Sequence, residues 1–77
     1  MNNIKQIADT ADLIVNGYAF TKEMDIVRVL NLNNPTKALV FNHNDIVIET
    51  DMDDIEVSIV KKYYERNKKY LEEDTDA

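Results

Sequence analysis

Apolar positions recur at helical spacing at both ends of the chain and gather in short runs between them. Ile4, Ile7, Ala8, Ala11, Ile14 and Val15 follow i, i+3, i+4 spacing, and Lys5, Asp9 and Asp12 fall on the other side. The pattern predicts a helix over 3–15 with Asn3 as its cap, stopped at Asn16-Gly17 by the only glycine of the chain. Four strands are expected next: Tyr18–Thr21, Ile26–Leu32, Ala38–Phe41 and Ile46–Glu49. Polar links join them, Lys22–Asp25, Asn33–Thr36 and Asn42–Asp45, and links this short favour antiparallel neighbours. Ile26–Leu32 has two apolar faces, so the pattern leaves its buried side open.

A second helix is expected from Asp51 or Met52. Thr50-x-x-Asp53 and Asp51-x-x-Asp54 both have the form of a capping box. Met52, Ile55, Ile59 and Tyr63 form its apolar line, with Val60, Tyr64 and Leu71 close by. The expected fold class is α+β, in the order α-β-β-β-β-α. A four-stranded antiparallel meander then carries both helices on one face. Residues 1–73 make one small domain, and 74–77 are expected to fray as an acidic tail. At 44% hydrophobic residues the chain is too apolar for a disordered one.

Charge changes the picture. The net charge is -6. Residues 1–48 hold four basic and five acidic side chains, whereas residues 49–77 hold five basic and ten acidic ones. Nearly all the excess thus lies in the last third. Glu49, Asp51, Asp53 and Asp54 precede the long helix, and Glu72, Glu73, Asp74 and Asp76 follow it. The first cluster suits capping and the positive end of the helix dipole. The second opposes the dipole, so folding does not account for it. An acidic field disfavours direct nucleic-acid or anionic-membrane contact and favours basic surfaces.

Chemistry has little to draw on. Cysteine is absent, so no disulfide or thiolate metal site holds the fold, which suits a cytoplasmic protein. A calcium loop counted from Asp51 has Glu56 at its sixth position and Lys62 at its twelfth, where glycine and glutamate are needed. The basic, tyrosine-bearing run Lys61–Tyr70 reads as a helix face, since acidic groups on both sides repel phosphates. His43 and Ser58 are the only histidine and serine, and no partner set activates either. No enzyme activity, cofactor or metal is expected, and no stretch is apolar enough to span a membrane.

The expected function is that of a non-enzymatic acidic protein that binds a basic protein surface, through Asp51, Asp53, Tyr64, Glu72, Glu73 and Asp74. In size, charge and coarse architecture the chain is similar to small acidic phage proteins, including anti-CRISPR inhibitors of effector nucleases, with no shared motif. That resemblance implies inhibition of a nucleic-acid-binding protein by charge mimicry. The alternative is a structural domain that self-associates through its sheet, giving a homodimer.

Overall fold

Asn-Gly between two β-branched or aromatic residues is a hairpin signal, and such a hairpin is the first element among the described residues. The computed structural model describes residues 11–73, and the side chains of 11–71. Strand β1 (Leu13–Val15) turns through Asn16 and Gly17 into β2 (Tyr18–Glu23), with Val15 paired to Tyr18. Both turn residues have positive φ, 49° at Asn16 and 84° at Gly17. That is the two-residue turn whose twist matches paired strands. The φ of Gly17 favours glycine, and a Cβ there would also lie 2.8 Å from the side-chain amide of exposed Asn33, which would have to swing aside.

Three more strands complete the sheet: β3 (Ile26–Asn31), β4 (Ala38–Phe41) and β5 (Val47–Thr50). All neighbours are antiparallel in the order β1-β2-β3-β4-β5. Helix α1 (Asp54–Glu73) follows and covers one face. The class is α+β and the sheet is a meander, but it has five strands rather than four. The helix expected over 3–15 is corrected at its end, where Leu13–Val15 is a strand. The rest of that helix, residues 3–10, lies outside the described residues. Among the described residues there is one helix, so the expected order and the pair of helices on one face do not match.

Register settles the open question of β3. Leu13, Phe20, Val29 and Leu39 form one cross-strand row, and Val27 and Phe41 belong to the next. These residues enclose the core with Met52, Val60, Tyr64 and Leu71. Val27 and Val29 therefore face the helix, while Arg28 and Leu30 point to the other side. Phe20, Phe41, Leu39, Val29 and Val60 are fully buried. Each such side chain stabilises the fold by about 1.5–3 kcal/mol through burial.

The helix is rotated from the expected stripe. Val57, Val60, Tyr64 and Leu71 face the core, whereas Ile55 is 74% exposed and Ile59 39% exposed. Tyr64 selects this face. Its ring stacks on Phe41 with centroids 4.2 Å apart and planes 15° apart, and lies parallel to Phe20 at 6.5 Å. Such a stack adds about 0.5–1.5 kcal/mol beyond burial.

Candidate functional site

The passage from β5 to α1 holds the densest acidity among the described residues. Thr50 Oγ1 donates to the carbonyl of Ala38 at 2.9 Å and accepts the Met52 N–H at 2.9 Å. Asp51 N–H also donates to Ala38, and Lys37 Nζ donates to the Asp51 carbonyl. Met52 is buried, so this short passage is pinned to the core from within. The side chains on either side of it, Glu49, Asp51, Asp53 and Asp54, are all exposed.

Among the described residues, only Asp53 of these four has a hydrogen bond through its side chain. Its Oδ1 accepts the Glu56 N–H at 2.8 Å, making it the N-cap of α1. The cap is thus Asp53–Glu56, displaced from the two capping boxes expected at Thr50 and Asp51. Among the described residues, ion pairs join Arg28 to Glu23 and Lys68 to Asp45. Neither involves Glu49, Asp51 or Asp54.

Glu56 closes a different network. Its Oε2 accepts the Tyr18 hydroxyl at 2.9 Å and the Asn31 amide at 2.8 Å. Asn31 Oδ1 in turn accepts the N–H groups of Asn33 and Asn34. One carboxylate thereby ties the helix start to β2, β3 and the β3–β4 loop. Burial, and then the hydrogen bond to Glu56, push the Tyr18 hydroxyl up from 10.0 to about 12.

The structure divides the expected contact residues. Asp51 and Asp53 lie together at the helix start, with Glu49 and Asp54 beside them. Tyr64 is elsewhere and only 6% exposed, a core residue whose hydroxyl donates to Asp45 Oδ1 at 2.6 Å. Glu72 and Glu73 are the last two positions of α1. The helix thus runs to the end of the expected 1–73 domain, and its final turn carries no basic residue to offset them. Across about twenty residues at 1.5 Å each, they stand about 30 Å from the first cluster. Asp74 lies outside the described residues.

Sequence reasoning missed Ile46 and Ile48, each 56% exposed at the last strand. The signal was available, because the last strand of a meander is always an edge. His43 is exposed in the β4–β5 loop, beside a polar cleft of about 170 Å³ shared with Lys22, Asp45 and Lys68. Ser58 is exposed on α1 and borders a different cleft. Among the described residues no group of three or more histidine, cysteine, aspartate or glutamate side chains is placed to hold a metal ion. No described helix is long and apolar enough to cross a membrane.

Fold and site together define a small α+β module, an antiparallel meander under one helix with an acidic corner between β5 and α1. The chain belongs to the family of unknown function DUF7723, whose model matches residues 1–71. The match spans the acidic corner and ends before Glu72. No curated protein and no solved structure matches the chain.

Proposed function

We propose that this chain is a non-enzymatic interaction protein that binds a basic protein surface through the corner formed by Glu49, Asp51, Asp53 and Asp54. One observation carries the reading: four exposed carboxylates occupy six consecutive residues, and none of them makes an ion pair among the described residues. Surface charge without a structural partner raises the rate and selectivity of encounter with the opposite sign. The partner class is a protein that itself binds nucleic acid, since such proteins present large positive surfaces. Occupation of that surface would then exclude nucleic acid, in the manner of a phage inhibitor that acts by charge mimicry. Glu72 and Glu73, about 30 Å away, extend the acidic spacing along α1. The compartment in this reading is the cytoplasm.

The test is binding to immobilised polylysine over a series of salt concentrations. Affinity should fall steeply as the Debye length shrinks from about 30 Å at 0.01 M to about 8 Å at 0.15 M. Charge reversal at Glu49 and Asp51 should remove most of the binding. Salt-independent binding, or no effect of reversal, would sink the reading.

A second reading, self-association through the sheet, rests on the face opposite α1. Ala19, Leu30, Ala38 and Val40 line a shallow concavity of about 290 Å³ there. Arg28 and Glu23 form an ion pair at its rim. A face carrying both signs tolerates its own copy better than a uniformly acidic one. Sedimentation at several concentrations decides between the readings, and a strict monomer counts against this one.

A further inference from the structure

We infer that the outer edge of β5 receives an extended, basic strand from the partner, which joins the sheet as its sixth strand. This inference rests on the acidic-corner reading and specifies how the contact is made. Three observations converge on the same few residues. The first is topological: β5 ends the sheet order, so one side of it has no strand partner among the described residues.

The second concerns the backbone. Asp51 N–H donates to Ala38, and the ladder continues through Val40 and Glu49. Backbone groups of an antiparallel strand alternate in direction every residue. Glu49 therefore turns its N–H and carbonyl toward β4, while Thr50 turns its own outward, where a new strand would take them up.

The third is the composition of the edge. Ile46 and Ile48 flank Val47 and are each 56% exposed, an apolar pair that a covering strand would shield. A bulge between the Val40 and Phe41 pairings leaves Ile48 outside the regular register. Glu49 lies within the strand, and Asp51, Asp53 and Asp54 follow directly.

Charge then selects the occupant. Natural sheets guard open edges with short strands, bulges and charges. β5 has all three, and its charge is negative. A second copy of this chain would set Glu49 into both strands of the joint and bring -6 against -6. A strand with lysine or arginine at alternate positions meets the same edge with opposite sign. Main-chain hydrogen bonds would supply affinity, and the flanking charges would supply choice.

The experiment uses the full chain and a short synthetic peptide of alternating valine and lysine. A control peptide replaces its valines with proline, keeping the charge while removing strand donors. Amide hydrogen exchange is followed residue by residue by NMR. The valine–lysine peptide should slow exchange at Thr50 by about tenfold or more, and the control should not. Ile48→Lys should abolish the protection while the core amides of β3 stay protected. If both peptides bind alike and neither protects β5, the edge inference fails and the acidic-corner reading stands. If neither peptide binds even at low salt, both fail. If β5 becomes protected without peptide as protein concentration rises, a second copy is the occupant and the inference is overturned.

Discussion

The two loops that flank β5 use their carboxylates in opposite ways. On the β4–β5 side, Asp45 accepts from the Tyr64 hydroxyl and from Lys68 Nζ, so both oxygens are bonded to the helix. On the β5–α1 side, Glu49, Asp51 and Asp54 have no ion pair among the described residues. Asp45 sits at φ 65° in a loop where Asn42 Oδ1 accepts two backbone N–H groups, from Asn44 and Ile46. That loop is shaped around its acid, which is held below its ordinary value, first by the hydrogen bond from Lys68 and then by that from Tyr64. The contrast separates acidity that builds the fold from acidity that the fold leaves free.

The most severe way to break the structural side is Tyr64→Ala. It removes the stack on Phe41 and the hydroxyl that holds Asp45, and it opens a cavity at the centre of the core. Loss of a buried aromatic costs about 3–5 kcal/mol. A domain of this size holds only about 3–5 kcal/mol in total. The variant should therefore be largely unfolded by circular dichroism at room temperature. Tyr64→Phe keeps the stack and should stay folded, with a loss of about 1 kcal/mol in chemical denaturation.

Glu56→Ala tests whether a carboxylate near the free corner can also be structural. It strips the acceptor from Tyr18 and Asn31, at a cost of about 1–2 kcal/mol in denaturant midpoint analysis. The Tyr18 hydroxyl should titrate part of the way back from about 12 toward 10.0, because burial, the larger cause, remains. Glu56→Gln keeps an acceptor oxygen and should recover part of the stability.

How far the sequence foretold this division depends on the residue. The polar links at 33–36 and 42–45 were legible because asparagine and proline act locally. The meander followed from their shortness. The first strand was not legible, since Ile14 and Val15 fit a helical stripe as well as a β-branched run, and Asn16-Gly17 can stop a helix or turn a hairpin. The helix face was ambiguous for a similar reason. Met52, Ile55, Ile59 and Tyr63 are as apolar as Val57, Val60, Tyr64 and Leu71. Met52 precedes the helix and is buried there on its own account, and Tyr63 packs against the core, so the expected stripe errs at Ile55 and Ile59. Long-range contacts of Tyr64 with Phe41 and Asp45 broke the tie, and no local pattern encodes them. The acidic corner was visible as composition, but which of its members the fold consumes was visible only in three dimensions.

A smaller effect is expected from Asp45→Asn. Asparagine tolerates the left-handed backbone, so the change isolates charge. The folded carboxyl holds its proton less tightly than the unfolded one, whose ordinary value is 3.8. Its stabilising contribution is therefore complete above that value and is lost as pH falls through the lower, folded one. The variant should lose about 1 kcal/mol or less at neutral pH, because Lys68 and Asp45 are both more than one-third exposed. It should also show a flatter stability curve on the acid side than the natural chain. Urea midpoints measured across the acid range check both effects.

The smallest effect on stability should come from the free corner, and there the comparison is sharpest. Glu49→Gln with Asp51→Asn removes two carboxylates that form no ion pair among the described residues, although Glu49 lies in the same cross-strand row as Arg28. Substitutions of this kind usually change stability by no more than about 0.5 kcal/mol. The matched control is Asp25→Asn with Glu65→Gln, which gives the same net charge from two exposed positions elsewhere. If acidity acts only as a uniform field, both double variants should lose affinity for polylysine equally. If the corner is the contact, the first should weaken binding about tenfold more than the second, at equal thermal stability. Equal losses would leave the fold untouched and remove the reason to treat this corner as different from any other acidic surface of the molecule.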